Sequence, residues 1–120
     1  MNRDEIILSW RTPIQIDNTK VSLNEEAFQN NTLRPILKFQ NEIILAIVRI
    51  EINDRSIPSL QHEKLDFIKV ILKNNTIKQR LLGVIVALFT TEEFSFYKLH
   101  DTTINKRISQ LLVKRLADQL

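Results

Sequence analysis

The chain holds 120 residues, 43% of them hydrophobic and 26% charged, with a formal net charge of +3. That is apolar enough for one core and too apolar for a disordered chain, so residues 1–120 are expected to form a single domain. One Gly, three Pro and no Cys argue against a turn-rich sandwich or barrel and exclude glycine-rich phosphate loops, disulfides, thiol catalysis and cysteine metal clusters.

In chain order, residues 1–21 read as an N-terminal piece and connector. Residues 2–11 make a short amphipathic stretch with Ile6, Ile7 and Trp10 available for burial. Trp10, the only Trp, is expected to pack the terminus onto the core, with a partner anchor as the other role open to it. Residues 12–21 carry extended-connector signals: Pro13 restricts Thr12, Ile14 and Ile16 alternate with polar residues, and Asn18-Thr19 suits a turn. Ser22 and Glu25 have capping-box spacing, which starts a helix near Leu23.

Thr32, Leu33 and Arg34 lie where a kink or a fresh helix start would fall, because Pro35 removes a backbone donor. Residues 35–52 are expected to form a central helix. Its middle, Ile43-Ile44-Leu45-Ala46-Ile47-Val48, is apolar on every side and calls for neighbours all round. Residues 48–52 alternate like a strand, but the length and Pro35 favour helix. At six residues the apolar run falls well short of the ~20 of a membrane span.

Turn formers gather over residues 53–59 and mark the clearest break. Residues 60–73 place Leu65, Ile68 and Leu72 at helical spacing, widened by Phe67 and Ile71. Asn74-Asn75-Thr76 can end that helix and cap the next, residues 77–89, a second nearly all-round apolar run. Gly83 inside it predicts the close approach of another helix over Gly83 and Ala87, or, more sharply, ligand contact with bare backbone.

Thr90 and Glu93 have capping-box spacing and open a long amphipathic C-terminal segment, residues 91–120. Wound as one helix, it sets Phe94, Tyr97, Ile104, Ile108, Leu111, Leu112 and Leu116 on one arc. Asp101-Thr102-Thr103 is its weak point, where one helix could become two. The expected class is therefore all-α: a compact bundle of about five helices, with residues 35–52 and 77–89 as two central apolar helices and a long C-terminal amphipathic helix across them.

Candidate chemistry is sparse. His62-Glu63-Lys64-Leu65-Asp66 is similar to a zinc-protease helix, but Asp66 stands at the second ligand position. A di-iron Glu-x-x-His spacing is missing, since Ser59 precedes His62 and Tyr97 precedes His100. His100-Asp101 is at most half of an acid–base pair. Asn30, Asn31, Arg34, Gln40, Asn41 and Asn105 are expected in a structural polar network. No catalytic, cofactor-binding or metal residue is assigned, and an enzyme is the third-ranked reading.

Charge is unevenly placed: up to Ile68 there are 8 Lys+Arg against 10 Asp+Glu, and beyond it 9 against 4, or −2 and +5. The basic part could meet an anionic partner or attract the acidic part. Residues 92–108 look like a helix-turn-helix whose second helix offers Thr103, Lys106, Arg107, Gln110 and Lys114 to DNA, though the spacing between Leu99 and Ile104 is short for that motif.

The strings Asn31-Thr32-Leu33-Arg34-Pro35-Ile36-Leu37-Lys38-Phe39-Gln40-Asn41, Leu82-Gly83-Val84-Ile85, Phe89-Thr90-Thr91-Glu92-Glu93 and Asn105-Lys106-Arg107-Ile108 resemble a group of short, uncharacterised bacterial helical proteins. The resemblance extends from about Ala27 onward and implies no site residues. Some members carry a glyoxalase label. Glyoxalase I enzymes resemble one another in paired βαβββ modules with His/Glu metal ligands, and this sequence displays neither.

The function read from these features is a non-enzymatic interaction or assembly module, a homo-oligomer whose apolar content exceeds what so few amphipathic helices can cover. The alternative is a small DNA-binding regulator. No cofactor and no membrane partner is expected. With no secretory signal visible and no Cys, the expected address is cytoplasmic.

Overall fold

The computed structural model describes residues 1–11 and 25–120. The regular structure of these residues is entirely helical, with no strand among them: α1 (Arg3–Trp10), α2 (Glu25–Phe28), a π-helical turn (Gln29–Leu33), α3 (Arg34–Phe39), α4 (Asn41–Ile52), α5 (Gln61–Leu72), α6 (Asn75–Val86), α7 (Thr91–Leu99) and α8 (Asp101–Gln119). Because α2, the π turn and α3 form one unbroken run, the described residues hold seven helices rather than about five. The predicted connector over residues 12–21 and the Ser22 cap lie outside the described residues.

The π turn is the physical answer to Pro35. A proline in an α-helix leaves the carbonyl four residues back without a donor and crowds it with the ring. Here the wider turn carries the chain through, Arg34 N–H bonding Gln29 O five residues back, so the run neither kinks off nor restarts. At its far end α4 stops at Asn53, whose φ of 54° suits an Asn far better than a branched residue. Arg55 folds back to donate to the carbonyls of Glu51 (2.6 Å) and Ile52 (3.3 Å), capping the negative end of α4.

α5 lies along α8 and α4 along α6. Ile68, Ile71 and Leu72 of α5 share one continuous apolar core with Ile104, Ile108, Leu112 and Leu116 of α8. Ile44, Leu45, Val48 and Ile52 of α4 join it with Ile77, Leu81, Leu82 and Ile85 of α6. Phe28 and Phe89 meet edge to face at 5.4 Å within it.

The single helix expected over residues 35–52 is two, α3 and α4, interrupted at Gln40, and neither α4 nor α6 is wrapped on every side as the composition implied. α4 buries one flank and leaves Ile43 and Ile50 50% and 75% exposed on the other, with Ala46 exposed between them. Gly83 on α6 and Ala87 just past its end are exposed, and a Cβ added at Gly83 would meet nothing within 4 Å. Among the described residues no helix closes over Gly83, so close approach does not explain it. The C-terminal segment is two helices, broken at His100, one residue before the expected weak point; α8 is the long C-terminal helix. No helix among the described residues is long and apolar enough to cross a membrane.

Candidate functional site

Two features stand out: a partly buried ion pair that fastens the N-terminus, and an apolar line along the exposed side of α4. The first begins with the capping box. Thr90 Oγ1 accepts from Glu93 N–H (3.2 Å) and Glu93 Oε1 accepts from Thr90 N–H (2.8 Å), as the sequence spacing predicts. The same carboxylate has a second task. Both terminal nitrogens of Arg11 donate to it, one to each oxygen, and the buried Thr32 hydroxyl donates to Oε2 at 2.6 Å.

Burial would raise the Glu93 carboxyl, but the hydrogen bonds from Arg11, Thr32 and the Thr90 amide outweigh it, and the carboxyl is held below its ordinary 4.5. Around this pair α1 is clamped onto the turn between α6 and α7. Arg3 donates to the carbonyls of Ala87 (2.6 Å) and Phe89 (2.9 Å), and Arg11 to that of Leu88 (3.1 Å). Three carbonyls just past α6, where the helix dipole is negative, thus face guanidinium groups. Asp4 receives the Thr91 amide (3.1 Å) and hydroxyl, and the Thr91 hydroxyl chiefly lowers its carboxyl from 3.8. A cleft of about 210 Å³ opens beside the pair, lined in part by Leu8, Phe28, Thr32, Glu93 and Phe96.

These bonds join α1, the π turn and the cap of α7, and although Arg11 Nε is buried without a hydrogen-bond partner, the carboxylate is taken up by Arg11, Thr32 and Thr90, which makes the cluster a fastening rather than a reactive centre. The candidate acid–base groups do not converge on it. His62 is exposed at the start of α5, and His100 Nδ1 stands 3.6 Å from Glu25 Oε1 with its ring 4.5 Å from that of Phe96. No group of three or more His, Asp or Glu side chains that could hold a metal ion occurs among the described residues.

The polar residues expected in one network serve separate places. Arg34 donates to Asn30 (3.1 Å), Gln40 to Val84 O (3.1 Å) and Tyr97 to Asn105 (2.7 Å), while Asn41 exchanges bonds with Gln119 and accepts from Arg115. Of the residues proposed to face DNA, Thr103, Lys106, Gln110 and Lys114 are exposed on α8. Arg107 is half-buried and donates to Gln29 Oε1 at 2.8 Å. His100 alone separates α7 from α8, where a helix-turn-helix uses a turn of about three or four residues.

The apolar line was hidden in the sequence. Trp10 is 50% exposed and stacks on Phe39, itself 54% exposed, with ring centroids 5.5 Å apart and planes 4° from parallel. Its ring therefore covers α3 from outside instead of entering the core. From Phe39 the line continues through Ile43, Ala46 and Ile50. Comparison of the chain with protein-family models, curated proteins and solved structures gave no match.

Proposed function

We propose that this protein is an assembly module that works by pairing with copies of itself, with the outer side of α4 as its working surface. The observation that supports this reading is the alignment of Phe39, Ile43 and Ile50, each half-exposed or more, with Trp10 laid against one end. Apolar side chains scattered singly over a surface are ordinary; aligned on one helix and extended by a stacked indole, they form a face that water covers poorly. The fastening of α1 through Arg3 and Arg11 holds Trp10 in place at that face. A soluble, cytoplasmic module of this kind needs no cofactor. Light scattering over a wide concentration range tests the reading: the mean mass should rise toward that of a dimer, and a constant monomer mass would refute it.

A second reading, a small DNA-binding regulator, draws on Thr103, Lys106, Gln110 and Lys114 sharing the exposed side of α8. It requires retardation of duplex DNA by micromolar protein at low salt, weakening steeply as salt rises.

A further inference from the structure

Phe39, Ile43, Ala46 and Ile50 follow one another at spacings of four, three and four residues, the repeat of a coiled-coil seam. Ile43, Ala46 and Ile50 lie on α4 itself, and Phe39 ends α3 one turn residue, Gln40, before α4 begins. Gln40 N–H bonds Ile36 O at 2.8 Å and Ile44 N–H bonds Gln40 O at 3.0 Å, so this single non-helical residue is tied to both helices and Phe39 stands at the N-terminal end of the α4 line. Glu42 and Arg49 lie seven residues apart along one flank of this seam, and both are exposed. Among the described residues neither takes part in an ion pair within its own chain.

We infer that α4 pairs with α4 of a second copy, antiparallel, about a two-fold axis near the level of Ile44 and Leu45. This rests on the assembly reading and specifies its geometry. In an antiparallel helix pair each flank faces the same flank of the partner, so Glu42 meets the second copy's Arg49 and Arg49 meets its Glu42. The contact is isologous, as a two-fold requires. The same register sets Phe39 against Ile50 at both ends, and Ile43 over the small Ala46 in the middle, where the missing bulk admits it. Parallel pairing would set each charged flank against the opposite flank, where Gln40 and Ile47 stand, and leave both charges without partners. A seam of four residues a side, extended by Trp10, is smaller than the ~800 Å² per partner of a durable interface, so the dimer is a weak, concentration-dependent one.

Sedimentation equilibrium from about 10 μM to about 1 mM, a range that covers weak association, decides it. The wild type should fit monomer and dimer. Glu42→Lys and Arg49→Glu should each weaken dimerisation by on the order of tenfold or more, since each sets two like-charged pairs face to face. An equimolar mixture of the two variants, and the double variant, should regain wild-type association, because both restore every opposite-charge pair. A wild-type dimer indifferent to these reversals, or a mixture that stays weak, overturns the antiparallel α4 contact while leaving assembly through another surface standing. A wild type that remains monomeric at the top of the range overturns both. As a check independent of any variant, amide shifts that change on dilution of the wild type should concentrate in residues 39–50; changes centred elsewhere refute the inference.

Discussion

Arg11 and Glu93, 82 residues apart in the chain, meet through both terminal nitrogens of the guanidinium and both oxygens of the carboxylate, with side chains only 12% and 16% exposed. The pair joins the end of α1 to the first turn of α7. Glu93 already closes the capping box of α7, so one carboxylate serves a local and a long-range purpose at once.

Arg11→Ala should destabilise the fold by about 2–4 kcal/mol, because it leaves a largely buried carboxylate with only Thr32 and the Thr90 amide to solvate it. Urea unfolding provides the measurement. Replacing both residues by Met should cost less than the two single losses added together, since no charge is then stranded. Additive losses would show that the two side chains do not act as a pair.

Acid should weaken the protein through the same carboxylate. Glu93 is held below 4.5 in the folded chain, so its stabilising contribution is complete above that value and lost as pH falls through the lower folded one. Asp4, lowered from 3.8, acts in the same direction. Melting temperature should stay nearly level from pH 7 to about 5 and then decline. Glu93→Gln should start lower at neutral pH and decline less below pH 4.5. An equal acid decline in wild type and variant would mean that other groups control it.

Gly83→Ala should stabilise the protein by about 1 kcal/mol, the difference in helix propensity, because the added methyl meets no neighbour. The urea midpoint should rise with an unchanged slope. A loss of stability would contradict the open surroundings of Gly83.

Ile44 and Ile50 lie on one helix and differ in exposure, 3% against 75%. Ile44→Ala should cost about 2–4 kcal/mol, and Ile50→Ala less than about 0.5 kcal/mol at concentrations where the chain is monomeric. Comparable losses from the two substitutions would mean that the outer side of α4 is covered.

What the sequence determined by itself was local. The capping box of Thr90 and Glu93 operates over three residues, the break after α4 lies in a run of turn formers, and the scarcity of Gly and Pro leaves helices as the natural elements. Asp101-Thr102-Thr103 signalled a weak point, and the chain divides one residue before it, at His100. Pro35 signalled a disturbance, but whether it became a kink or a π turn depended on Leu33, Ile36 and Leu37 all being buried in one core, which favoured a continuous run. Tertiary structure alone decided which side of α4 faces water. Residues 43–48 are apolar on every side, so no polar residue marks an outer face, and only the positions of α5 and α6 leave Ile43 and Ile50 outside. It also brought Arg11 to Glu93, because an ion pair between distant residues leaves no periodic trace in a sequence and forms only when packing delivers the two charges to the same place.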